Sequence, residues 1–484
     1  MLDLKDLNLN VIENKVFEYF GEISAIPRGS GNMKKIADYC ENFAQKHSLQ
    51  YIRDNADNII IYKNGCLGLE NAEPIILQGH LDMVCQCDQD TIIDFENDGI
   101  SIFRDGDFIK ADGTTLGGDN GIAVAYILTI LSANDIPHPP IEAVFTTNEE
   151  IGLLGANALD TSVLKSKKMI NLDSETDDVL TVSCAGGQDT VLALPLKKNE
   201  KNGTVITITV SGLLGGHSGV EIDKGRVNAN ILMGRILNHL SKYDFDFISI
   251  NGGTKRNAIP NSCVAEILVD DAKTVLNKLQ NYSEILYLEL KSRESGLSID
   301  YKTTNSTATF LCEDAKQKLL NLLNIVPNGI MEMSNEIEGL VETSLNLGVL
   351  ETKENEVSLA FALRSNKKSA MDYLESRLIS IAKTVGASTE TSGFYPPWEY
   401  KESSPLREFY KKCYKEQNGC DIKVEAIHAG LECAVFSSTI KNLDCISAGP
   451  NMYDVHTPKE KLSISSTLKT FNLLLKVLLE SGNL

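Results

Sequence analysis

The chain has 484 residues, 42% of them hydrophobic, and a formal net charge of −20 at pH 7. That length exceeds one ordinary hydrophobic core, so two or more domains are expected. An acidic surface repels phosphate backbones, and no apolar run is long enough to span a bilayer, so nucleic-acid and membrane-spanning classes are set aside.

The N-terminal stretch MLDLKDLNLNVIENKVFEYF mixes acids and bases with leucines at helical spacing. It lacks a basic start, an apolar run and a small-residue cleavage site, so it does not read as a signal peptide. The eleven cysteines are an odd number without CxxC spacing. They read as buried thiols of a reducing compartment, and the expectation is a soluble cytoplasmic protein with no membrane or nucleic-acid partner.

Along the first 185 or so residues, strand and helix signals alternate. A helix is expected over 32–47 and strands over 58–62 and 75–78. A helix over 121–132 and strands over 141–146 and 169–172 follow. Short apolar strands separated by helices predict an α/β sheet covered on both faces. The C-terminal segment returns to this style, with a helix over 406–417, a buried strand over 444–447 and a helix over 465–479. Both ends therefore build one domain, 1–189 with 394–484. The middle, 190–393, reads as an inserted lid. Its elements give β-α-β-β-α-β twice, from strand 205–210 to strand 297–301 and again from strand 307–311 to strand 387–391. That order is the ferredoxin-like signature, so the lid is expected to be two such α+β halves.

Five motifs carry acids or histidines at strand ends, where open α/β sheets bind ligands. The first is IILQGHLDMV, with His80 and Asp82 two apart. A histidine there offers a ring nitrogen to a metal, and a nearby carboxylate fixes its tautomer; alone, the pair reads more readily as a polar loop after a strand. In LGGDNG, Asp119 sits among three glycines before a helix. It reads as a helix N-cap or as a carboxylate held rigidly enough to bridge two cations. Glu149 and Glu150 follow a buried strand in FTTNEEIG. They suit an acidic first helical turn, or a division of labour in which one binds metal and the other holds a water's proton. MINLDSE supplies Asp173, and GPNMYDVHTP supplies His456, one of seven histidines. Together these five segments supply two histidines, three metal-grade carboxylates and one spare glutamate. That inventory fits two borderline cations with N/O ligands.

HLDMV, GGDNG, TTNEEIGLLGA, NLDSE, GGHSG, HAGLEC and NMYDVHTP together resemble the M20 metallopeptidases. HAGLEC points to their aminoacyl-histidine (Xaa-His) dipeptidase branch, for which carnosine is a typical substrate. The resemblance implies a zinc-peptidase-like α/β catalytic domain holding two divalent ions, zinc first, with manganese or cobalt suited to the same ligands. His80, Asp119 and Asp173 would hold one ion. Asp119, Glu150 and His456 would hold the other, with a cis peptide after the bridging Asp119. Glu149 would be the general acid/base and Asp82 the residue that orients His80. His217 in GGHSG would stabilise the oxyanion, Asn257 in RNAIPN would contact substrate, and Arg364 would clamp the substrate's carboxylate. The plainer alternatives are a loop histidine for His217 and a surface strand-end charge for Arg364. HAGLEC is expected at a helix start, where either Glu432 would receive the substrate's amino group or His428 would line the pocket; helix capping and packing are an equal alternative. The doubled lid suggests a monomer whose site completes within one chain, a homodimer being the alternative. Another M20-type amide hydrolase, an N-acyl-amino-acid deacylase, uses the same chemistry, and a catalytically dead metal- or ligand-binding protein is a reading from another class.

Overall fold

The computed structural model describes residues 4, 7 and 9–483. Of the leucines at helical spacing near the start, Leu2 lies outside the described residues. The first α-helix is Val11–Ser24, started by a capping box in which Asn10 and Glu13 satisfy each other's backbone N–H groups. The chain divides into two compact units. One comprises Met1–Cys184, Tyr400–Ala426 and Leu431–Leu484; the other comprises Ala185–Glu399 and Ile427–Gly430. The chain thus crosses at Cys184/Ala185 and Glu399/Tyr400, in place of the expected 189/190 and 393/394, and twice more on either side of Ile427–Gly430. Strand Gly186–Pro195 explains the earlier crossing, since it pairs along its whole length with Glu356–Ser365 of the second unit.

The first unit is built on an eight-stranded sheet. In spatial order its strands are Gln50–Arg53, Ile59–Lys63, Ile141–Thr146, Ile75–His80, Lys168–Asn171, Asp444–Ser447, Val179–Cys184 and Lys423–Ile427. The middle four, from Ile141–Thr146 to Asp444–Ser447, are parallel. Every residue of Ile75–His80 and of Ile141–Thr146 is buried, as continuous apolar runs in a parallel sheet require. The chain leaves Ile75–His80 for a neighbour on one side and then places Lys168–Asn171 on the other. That is a topological switch point, where such sheets open a crevice at the strands' carboxyl ends. Helix Gly118–Ser132 is almost wholly buried and lies against Ile75–His80. Gly79 permits the approach, because a Cβ there would meet Asn120 Oδ1 at 2.5 Å and Ala123 Cβ at 2.8 Å. A small four-stranded sheet includes Met452–Tyr453 and Lys461–Ser463, which bracket the His456 loop.

The second unit contains one nine-stranded antiparallel sheet. Strands Lys198–Ser211, Asp246–Gly252, Cys263–Val269 and Ser298–Leu311, with helices Ala229–Leu240 and Ala272–Leu290, make one ferredoxin-like half with spatial order 4-1-3-2. The second half has the same order but a different first strand. Residues 307–311 are the end of Ser298–Leu311 and belong to the first half. The second half opens with Gly186–Pro195, before the first half begins, and continues with helix Glu313–Ile325, strands Val341–Thr352 and Glu356–Ser365, helix Lys368–Val385 and strand Ser388–Tyr395. One half is therefore nested inside the other. They join where Asn251 and Gly252 pair with Glu351 and Leu350, and their helices share one apolar core.

Candidate metal centre

Four parallel strands deliver the polar groups. His80 ends its strand, Glu149 and Glu150 follow Thr146, Asp173 follows Asn171, and His456 comes from the loop beyond Ser447. His80 Nε2 lies 3.0 Å from Asp119 Oδ1 and 3.5 Å from Asp173 Oδ1. His456 Nε2 lies 3.2 Å from Asp119 Oδ2 and 2.9 Å from Glu150 Oε1. The two oxygens of Asp119 thus face two different imidazoles. Two groups result, His80/Asp119/Asp173 and Asp119/Glu150/His456, each with its ligand atoms within 4.8 Å of one another; His80, Glu149 and Glu150 form a third.

The electrostatics match a place built for cations. Burial opposes charge on His80, yet Asp173, Asp119 and Asp82 overcome it and raise its pKa well above the ordinary value. Hydrogen bonds to Asp119 and Glu150 raise His456 to about 11. Burial raises Asp173 to about 8 and Glu149 well above the usual carboxylate range. Burial works the same way on Asp119, but its hydrogen bonds to His456 and His80 hold it below that range. Without cations, protons on the imidazoles and acids must balance the crowded carboxylates. Two nitrogens and several hard oxygens, with no thiolate among them, suit divalent ions of the zinc, manganese and cobalt type.

Asp82 and Asn120, both fully buried, support these groups. Asp82 Oδ1 accepts the Glu149 N–H at 2.9 Å, and Oδ2 accepts Ser30 Oγ–H at 2.8 Å and the Glu150 N–H at 3.2 Å. Asp82 also lies 3.5 Å from His80 Nδ1 through its carboxylate, and 3.1 Å through its own carbonyl. It therefore orients the two glutamates as much as the histidine. Asn120 accepts the His80 N–H at 3.2 Å and donates to Leu172 O at 2.8 Å, tying two strand ends together. The Asp119–Asn120 peptide bond is cis.

Glu432 differs from expectation. It has 0% exposure and sits behind the strand ends, where Oε2 accepts Gln78 Nε2–H at 2.5 Å and Thr146 Oγ1–H at 2.6 Å. Burial raises its pKa to about 7. A carboxyl with no exposed surface supports the site from behind rather than receiving a substrate amine. The HAGLEC motif is also not one helix start. His428 follows strand Lys423–Ile427 and groups with the second unit, whereas Glu432 opens helix Glu432–Thr439 of the first.

The second unit gathers His217, Arg364 and His428 closely enough for the Arg364 charge to depress both histidines, although burial is the larger cause in each. His217 Nδ1 accepts the Gly219 and Val220 N–H groups, each at 3.2 Å, which leaves Nε2 to carry the proton. Arg364 Nη1 donates to Tyr395 Oη at 3.0 Å, while its buried Nε has no hydrogen-bond partner among the described residues. His428 is nearly buried between Ser344 Oγ at 2.7 Å and Asn366 Oδ1 at 3.4 Å. Asn257 is exposed, and its carbonyl accepts the Ser218 N–H at 2.9 Å beside the His217 loop.

Sequence reading missed Arg28, Gln78, Thr146 and Glu460, all buried around the metal-centre loops. Arg28 has no charged neighbour in IPRGSG to mark it. Gln78 and Thr146 were visible only as strand residues preceding the ligands, and Glu460 only as a glutamate four residues after His456.

The model of Peptidase family M20/M25/M40 matches residues 76–480. Cytosol non-specific dipeptidase of Escherichia coli is 38% identical over 470 residues, covering 96% of this chain and 97% of that protein. The crystal structure of aminoacylhistidine dipeptidase from Vibrio alginolyticus superposes with a TM-score of 0.89 at 34% identity, covering 98% of this chain and 99% of that one. Aminopeptidase PepT from Bacillus cereus shares the fold at 15% identity, with a TM-score of 0.57 and 97% and 98% coverage.

Proposed function

Because the chain belongs to Peptidase family M20/M25/M40, we propose that it is a two-metal dipeptidase hydrolysing Xaa-His dipeptides such as carnosine. The observation that carries this reading is the single carboxylate of Asp119, set between two imidazoles in two ligand groups, with Glu149 beside them. His80, Asp119 and Asp173 would hold one ion; Asp119, Glu150 and His456 would hold the other. Zinc is the first candidate for both, with manganese or cobalt the alternatives. Bound there, divalent ions supply the positive charge that makes water acidic enough to be a nucleophile near neutral pH.

Glu149 takes the proton of the attacking water and returns it to the leaving amine. Its carboxylate lies with His80 and Glu150 at the strand ends, within reach of a water held there. Asp82, through the N–H groups of Glu149 and Glu150, keeps base and ligand in separate orientations. His217 is neutral with its proton on Nε2, the form that donates to an oxyanion. Arg364 offers a permanent cation for the dipeptide's carboxylate, backed by Tyr395. Asn257 contacts the substrate, and His428 fixes the floor of the carboxylate pocket through Ser344 and Asn366. The name of the Escherichia coli relative supports a cytosolic setting, and among the described residues no helix is long and apolar enough to cross a membrane.

A dipeptide panel with zinc, manganese and cobalt tests the reading. Carnosine and Ala-His are expected to be cleaved, N-acetyl-Ala-His to resist, and Glu149→Ala to lose about 100- to 10,000-fold in rate. Equal rates for Glu149→Ala and the unaltered enzyme would remove Glu149 from the mechanism. Cleavage of the acetylated peptide alone would turn the reading towards a deacylase.

A further inference from the structure

Glu460 lies four residues after His456 and is 3% exposed. Its carboxylate faces the turn that carries Asp119. Oε2 accepts the N–H groups of Leu116 at 2.8 Å and Gly117 at 3.1 Å, and Oε1 accepts those of Gly118 at 2.8 Å and Asp119 at 3.4 Å. The Glu460 N–H closes back on Thr457 O at 3.0 Å, so the carboxylate is tied directly to the His456 loop.

Arg28, 2% exposed, holds the other side of the same turn. Nη2 donates to Gly117 O, and Nη1 donates to Leu81 O at 3.0 Å and Asp82 O at 3.2 Å. Gly117 has a φ of 68°, and a Cβ there would lie 2.4 Å from Arg28 Nη2, so the turn accepts only glycine between these partners.

We propose that Glu460 is a positioning residue that sets the spacing between Asp119 and His456, and with it the grip on the ion shared by Asp119, Glu150 and His456. Arg28 fixes the opposite face of the turn against the His80–Asp82 segment. The asymmetry is the content of the proposal. Glu460 links two of the three ligand-bearing segments of that ion, but only one of the three that hold the His80/Asp119/Asp173 ion. A carboxylate that merely capped the buried helix would stabilise the fold without distinguishing the two ions.

The inference rests on the two-ion reading, and the unaltered enzyme tests that separately: failure to bind two ions would end the two-ion reading before any variant is compared. Full-length Glu460→Gln keeps the side chain's shape, and Glu460→Asp keeps its charge. Each is checked for folding by circular dichroism and titrated with zinc against a chromophoric chelator. For Glu460→Gln one of the two binding steps is expected to weaken by about 10- to 100-fold, with the other within about threefold of normal. Excess zinc is expected to restore kcat. Glu460→Asp should fall between the two proteins. If Glu460→Gln lowers the Tm of metal-free and loaded protein alike while both affinities stay unchanged, the role is structural and the proposal falls. Equal weakening of both steps would also overturn it.

Discussion

His428 shows how burial sets the pH response of a single side chain. Its pKa is lowered to about 3, first by burial and then by the Arg364 charge. In an unfolded chain histidine gains a proton as pH falls through about 6.5, whereas the folded protein refuses it until about 3. The unfolded state therefore binds more protons across that window, and stability falls as pH falls. This one group contributes a slope of about 1.4 kcal/mol per pH unit. His428→Gln is expected to be less stable at pH 7, having lost its contact to Ser344, but to lose stability less steeply between about pH 6 and 4. Urea midpoints across that range measure the difference. A slope as steep as that of the unaltered protein would mean that His428 is charged in the fold.

At the scale of elements, the Asn257 segment is held to strand Val341–Thr352. Asn346 Nδ2 donates to Arg256 O at 3.0 Å and Ala258 O at 2.8 Å. The strand bulges between Leu347 and Val349, and a Cβ on the intervening Gly348 would meet Arg256 O at 2.3 Å. Gly348→Ala is expected to cost about 1–3 kcal/mol and, by displacing Asn257, to raise KM for a dipeptide more than it lowers kcat. Thermal melts and steady-state kinetics check both; an unchanged KM would separate Asn257 from substrate binding.

The strands of the parallel core were legible because their buried runs are nearly continuous: 141–146 and 444–447 match their strands residue for residue. The candidate ligands His80, Glu150, Asp173 and His456 were legible because each lies at or beyond the end of such a run, whereas Asp119 stood out only as an acid among glycines before a helix. The nesting of the two halves was not. Neighbours in sequence usually pair in space, so 307–311 read as the start of a new half, while its true first strand lay over a hundred residues earlier. Glu432 was misread for a related reason: a motif shows which residues travel together, but not that the chain passes from one unit to the other between Gly430 and Leu431.

For the whole molecule, the open question is whether one chain supplies every group that catalysis needs. We expect a chain carrying two ferredoxin-like halves to supply its own His217. Mixing His80→Ala with His217→Ala should then recover no activity, and native mass spectrometry of the same samples would give the number of chains. Recovered activity in a mixed oligomer would mean that subunits share the histidine.

The fourth strand of the parallel core, Asp444–Ser447, comes from the last tenth of the chain, and His456 follows it. During synthesis His80, Asp119, Glu150 and Asp173 emerge hundreds of residues before the strand that completes their sheet. The nascent chain thus carries the acids and one imidazole of the proposed centre before it carries the second histidine. Domains generally fold as units, so on the proposed two-ion reading we expect ion loading to wait until strand Asp444–Ser447 and His456 have joined the sheet.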